Sequence, residues 1–166
     1  MSNLHSIKTQ VIIAFEKANV SFPQQLSKKS NNKSELEFLL NCKKWILSDQ
    51  IQDNHKIVKL LILSQEIFLT QNVVDEAIKI DEILSRQYFN LGEFELSIQK
   101  GKKFLTDYRS FNSKIGSNKV VTCYSNIGAS YSALGRYDNA IQNLLEAVKL
   151  IKKDININLR SVGIVY

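Results

Sequence analysis

Proline is all but missing from this chain, with Pro23 the single example in 166 residues. A sequence so poor in the residue that breaks helix interiors is free to run long helices, and it cannot be a proline-rich or low-complexity linker. Histidine is nearly as scarce. His5 and His55 stand in no metal-ligand spacing with Cys, Asp or Glu, so no metal site is expected. Only Cys42 and Cys123 could form a disulfide, and their wide separation on two predicted helices is what two buried, reduced thiols look like. The six glycines form no phosphate loop, since Gly116-Ser-Asn-Lys119 lacks the upstream glycine and strand such a loop needs. A Gly-x-Ser-x-Gly elbow and the kinase signatures are also absent. Asp75-Glu76 and Asp81-Glu82 are carboxylate pairs, read as solubilising charge on an exposed helix flank. No catalytic residue and no cofactor is expected, and the chain reads as non-enzymatic.

Long apolar runs are missing too. No stretch approaches the roughly 18 residues of a membrane span, and Val11-Ile-Ile-Ala-Phe15 is too short for a signal-peptide core. A cytoplasmic location without membrane contact is expected. Net charge is +3 over residues 1–50, −3 over 51–100 and +6 over 101–166. An acidic middle between basic ends is unlike the continuous basic stripe of a nucleic-acid groove. Leu63-Ser-Gln-Glu66 faintly echoes the start of a DNA-binding helix-turn-helix. The acidic stretch after it lacks the turn glycine and the basic recognition helix, so no nucleic-acid partner is expected.

What is present is helical periodicity. Tyr124, Ile127, Gly128, Tyr131 and Leu134 recur at three- and four-residue steps, the apolar stripe of an amphipathic helix. Gly135 offers a left-handed residue to end it. Ala140, Ile141, Leu144, Ala147, Val148 and Ile151 then resume the period. Gly128 and Ala140 are small residues on the facing stripes, so the two helices can approach closely as an αα-hairpin.

A second copy lies upstream. Leu84, Ser85, Tyr88, Leu91, Gly92 and Phe94 align with Ile127, Gly128, Tyr131, Leu134, Gly135 and Tyr137, and Ser97-Ile98 aligns with Ala140-Ile141. Its departures are Asp81 in the place of Tyr124 and Gly101 inside a helix, which costs about 1 kcal/mol relative to Ala. A third partial copy follows, with Leu159, Val162, Gly163 and Tyr166 in the stripe positions. The spacing is 35 residues from Gly128 to Gly163 and 43 from Gly92 to Gly135. The eight-residue excess falls near Asp107 to Asn118, as a longer helix end plus loop.

This set of large and small residues, Tyr124, Ile127, Gly128, Tyr131, Gly135, Tyr137, Ala140 and Ala147, resembles the tetratricopeptide repeat. Lys152 stands where that pattern closes with proline. The longer period is similar to arrays in bacterial peptide-sensing regulators and signalling proteins. The resemblance implies an all-α fold, an α-solenoid of antiparallel helix pairs with about seven or eight helices. Residues 1–70 form an N-terminal helical region with a degenerate repeat. Residues 71–166 carry repeats at about 71–110 and 119–153 and the first helix of a further one at 156–166. In the N-terminal region Leu4 to Asn19 reads as a helix and Val20 to Gln24 as a break at Pro23. Ser27 to Asn32 is a basic loop. Ser34 with Glu37 forms a capping box for a helix to about Ser48, Asn54 to Leu69 a further helix, and Asn72 with Asp75 caps one to Leu91.

The resemblance also implies a function. In the family the first helix of each pair lines a concave wall that binds a protein or peptide segment. The matching positions are Thr122, Ser125, Asn126, Ala129, Ser132 and Ala133 on one copy and Lys79, Glu82, Ile83, Arg86, Phe89 and Asn90 on the other. Asn126 is the leading candidate, because an amide can both donate to and accept from one peptide unit of an extended ligand. The family's clamp for a C-terminal carboxylate is absent, its places holding Ser125 and Ala129 or Glu82 and Arg86. Two alternatives stand beside a peptide-binding scaffold. One is the N-terminal sensory region of a longer regulator or signalling protein whose output domain lies beyond Tyr166. The other is self-association through the apolar segment 156–166, a homo-oligomer.

Overall fold

The computed structural model describes residues 2–28, 34–48, 50–111 and 115–153, and every regular element among them is an α-helix. In order these are α1 (Ser2–Lys17), α2 (Gln24–Lys28), α3 (Glu35–Ile46), α4 (Asn54–Thr70), α5 (Val74–Asn90), α6 (Phe94–Ser110), α7 (Ser117–Ala133) and α8 (Tyr137–Lys153). The expected segment 156–166 lies outside the described residues.

Four helices end the same way. Asn19, Asn72, Gly92 and Gly135 have φ of 54°, 57°, 77° and 70°. After each, the next amide reaches back to a carbonyl five residues upstream: Val20 to Phe15 at 3.0 Å, Val73 to Phe68 at 2.8 Å, Glu93 to Tyr88 and Arg136 to Tyr131 at 2.9 Å. This left-handed closure satisfies the last carbonyls and turns the chain within three residues. Asn72 is therefore not the expected cap at the start of α5. It terminates α4, because asparagine tolerates the left-handed conformation nearly as glycine does. A second difference lies at Pro23, which does not simply break the chain. It opens the short α2, where its carbonyl accepts from the Leu26 amide at 3.0 Å, and its fixed φ suits a first helical turn. Ser34 caps α3 as expected, accepting from the Glu37 amide at 3.3 Å, and Asp53 caps α4 through the His55 and Lys56 amides.

The described chain forms two compact units, Met1–Ala77 and Ile78–Tyr166. In the first, α1 and α3 pack on α4 and α2 on α3. Phe15, Ile46, Leu60, Leu61 and Phe68 are almost wholly buried, and Phe15 meets Phe22 and Trp45 with ring centroids 5.3 and 5.5 Å apart. Each such side chain contributes about 1.5–3 kcal/mol of burial free energy. Lys43 pairs with Glu76 at the edge of this core.

In the second unit, helices of equal length pack in sequence. Ser85 Oγ donates to the Ser97 carbonyl at 2.8 Å, joining α5 to α6. Ser130 Oγ and Ser97 Oγ lie 2.8 Å apart in hydrogen-bond contact and Cys123 Sγ donates to the Gly101 carbonyl at 3.2 Å, joining α7 to α6. Gly128 brings α8 close, since a Cβ there would stand 2.8 Å from Leu144 Cγ and 3.3 Å from the Ala140 carbonyl oxygen. Gly101, which reads as a helix defect in the sequence, has the same role. A Cβ on it would lie 2.6 Å from Cγ1 of Ile127, itself fully buried. The fold is all-α, built of helices joined by tight turns, as in a tetratricopeptide-like α-solenoid. The expected longer helix end is not found, since α6 has 17 residues like α5, α7 and α8; the extra length before α7 falls in the connection 111–116, against three residues between α5 and α6.

Candidate binding face on α5 and α7

The inner partners of α7 use one part of its circumference. Cys123, Ile127 and Ser130 meet α6, while Gly128 meets α8. The remaining arc carries the residues singled out from the sequence. Thr122, Ser125, Asn126 and Ala129 are half-buried, and Ser132 and Ala133 are exposed. On α5, Lys79 and Phe89 are half-buried, and Arg86 and Asn90 are exposed. Phe89 leans on Phe94 with centroids 5.6 Å apart. Ile83 and Glu82 are buried, so neither presents an open surface.

The helix itself uses up much of the polarity of this arc. Thr122 Oγ1 donates to the Asn118 carbonyl at 2.9 Å and Ser125 Oγ to the Val121 carbonyl at 3.0 Å. Both hydroxyls keep lone pairs to accept a bond, but their hydrogens are spent on the preceding turn. Asn126 differs. Its side-chain Nδ2 is buried and has no hydrogen-bond partner, whereas its backbone carbonyl accepts from Ser130 Oγ at 2.8 Å. A buried amide donor left without a partner costs about 1–3 kcal/mol, and an acceptor from outside reaches this one only when the half-buried side chain turns outward.

The carboxylates at 81 and 82 do not lie on an exposed flank. Both residues are fully buried. Asp81 receives Lys100 at 3.0 Å and Lys103 at 2.9 Å, two lysines of the following helix. Lys103 has its pKa raised: desolvation works against the charge, but hydrogen bonds to Asp107 and Asp81 outweigh it. Glu82 faces Lys119 Nζ at 3.2 Å, an ion pair between α5 and α7, yet neither of its oxygens makes a well-directed hydrogen bond. We read this contact as Coulombic attraction with poor alignment, which reconciles the short distance with the missing bond. Beneath them the Cys123 thiol is held protonated, its pKa raised well above 9.0 by burial and then by the Glu82 and Asp81 charges.

Sequence reasoning missed Lys119 and Asn118, whose Oδ1 is buried without a partner. Lys119 lies three residues and Asn118 four residues before Thr122, so extending the register by one turn would have found both. Among the described residues no group of three His, Cys, Asp or Glu could hold a metal ion, and no helix is long and apolar enough to cross a membrane.

These features define a helical repeat in which glycine and serine make the close contacts between helices. Residues 121–154, essentially α7 and α8, match the family model of the tetratricopeptide repeat. That segment carries a tetratricopeptide repeat, a motif that generally mediates protein interactions. No curated protein matches it.

Proposed function

We propose that this chain is a cytoplasmic, non-catalytic scaffold that binds an extended peptide or protein segment along the arc of α5 and α7. The observation that carries this reading is the unpartnered Asn126 Nδ2, beside the Thr122 and Ser125 hydroxyls, whose own hydrogens are already bonded. A ligand backbone carbonyl would satisfy that donor, and the Asn126 Oδ1 could accept the amide of the same peptide unit. Thr122 and Ser125 add acceptor capacity beside it, and Ala129 and Ala133 leave room for a backbone to lie close. Phe89, Arg86 and Lys79 on α5 supply the contacts that would distinguish one ligand side chain from another.

Selection of binders from a random peptide library, followed by calorimetry on the best peptide, tests the reading. Asn126→Ala is expected to weaken that peptide by about 1–3 kcal/mol with the helical content unchanged. Equal affinity for the two proteins would remove Asn126 from the site, and selected peptides that ignore Arg86→Ala and Phe89→Ala as well would remove the face.

A further inference from the structure

The first unit carries a cavity of its own, apart from the face on α5 and α7. It encloses about 490 Å³ where the turn after α1, the end of α3 and the connection into α4 come together, within the range of about 300–1,000 Å³ typical of small-molecule sites. The local sequence builds it. Asn19, with φ of 54°, turns the chain away from α1. Trp45 stands in the last turn of α3 with its ring centroid 5.5 Å from that of Phe15. Asp53 opens α4 by accepting the His55 and Lys56 amides at Oδ1, at 2.9 and 3.3 Å.

We propose that this cavity binds a neutral polyhydroxylated ligand, of the size of a mono- or disaccharide. The side-chain amides of Asn19, Gln50 and Gln52 line it, and each offers both a donor and an acceptor. A hydroxyl has the same double character, so several hydroxyls on one ring can pair with several amides whichever way each is turned. The charged members of the wall, Asp53 and Lys56, are one of each sign, so the cavity favours neither an anion nor a cation. Asp53 spends Oδ1 on the helix cap and keeps Oδ2 to accept from a hydroxyl, while Lys56 Nζ can donate to one. Trp45 supplies the aromatic part of the wall, flat and apolar enough for the C–H face of a sugar ring. Among the described residues of this unit, its indole Nε1 is the one buried side-chain nitrogen or oxygen without a hydrogen-bond partner. No bond therefore holds the polar edge of the indole in place, and a small tilt toward the cavity gives that hydrogen a ligand oxygen to meet. A purely apolar ligand would strip water from these groups and return nothing.

Trp45 is the single tryptophan of the chain, so its fluorescence reads this cavity directly. The full chain is titrated with glucose, galactose, N-acetylglucosamine, maltose and lactose, and in parallel with glycerol and glucuronate. At least one of the neutral sugars is expected to change the emission saturably, with half-saturation at millimolar concentration or below. Asn19→Gly removes an amide and keeps a residue suited to φ of 54°, and Gln50→Ala removes another from an exposed position. Each is expected to raise the half-saturation concentration at least about fivefold, the loss of one neutral hydrogen bond. Circular dichroism and unliganded emission matching the parent separate a lost contact from a lost fold. No saturable change with any neutral sugar, a linear response equal to that with glycerol, saturation by glucuronate alone, or an affinity that ignores both substitutions would each overturn the proposal.

Discussion

Two glycines show how much a single missing methyl group decides. Alanine is the better helix former by about 1 kcal/mol, so Gly101 and Gly128 both look improvable by local rules. Packing reverses that expectation. A Cβ at Gly101 meets Ile127, which is fully buried and cannot swing away, whereas one at Gly128 meets Leu144, which is 42% exposed and can rotate toward water. Gly101→Ala is therefore expected to destabilise by about 1–3 kcal/mol and Gly128→Ala by clearly less, as read from urea midpoints; the reverse order would refute the reasoning. The cysteines make a second prediction at this scale. Burial pushes the Cys42 thiol from 9.0 up to about 12, against a small opposing backbone hydrogen bond. Between those values the unfolded chain gives up this proton and the folded chain keeps it. The stability linked to Cys42 is thus intact below about pH 9 and is lost as pH rises toward about 12. Thermal melts across that range should fall less steeply for Cys42→Ala than for the parent, and parallel slopes would count against the assignment.

At the scale of the element, the recurring device is the left-handed turn that closes α1, α4, α5 and α7. Two of its residues are glycine and two asparagine, and the chemistry differs accordingly. Gly135→Ala forces a side chain into φ of 70° and is expected to cost about 1–2 kcal/mol, although nothing lies within 4 Å of the added Cβ. Asn72→Gly should be close to neutral, within about 0.5 kcal/mol, because it relieves the same strain while loosening the unfolded chain. Chemical denaturation of the two variants checks both. The glycine turns were legible in the sequence because glycine has one common reason to follow an apolar stripe. The asparagine turns were not, since asparagine is equally at home capping the next helix, and only the backbone angle separates the two uses.

For the whole molecule, the contacts of α5 to α8 account for the core of the second unit. The all-helical class, the two hairpins and their register came from the sequence itself, because helix periodicity is local and each stripe recurs within one or two turns. The arc bearing Thr122, Ser125, Asn126 and Ala129 was legible for the same reason. What the sequence left undecided depends on residues brought together from afar. Asp81 and Glu82 read as surface charge until α6 folds back and sets Lys100 and Lys103, about twenty positions later, against Asp81. Gly101 reads as a flaw until Ile127 arrives from α7. That Asn126 keeps an unpaired donor while Thr122 and Ser125 do not is decided by side-chain hydrogen bonds alone. Periodicity determines which face of a helix is buried, but charge pairing, close approach and hydrogen-bond balance are properties of two helices at once, and only the tertiary structure supplies the second.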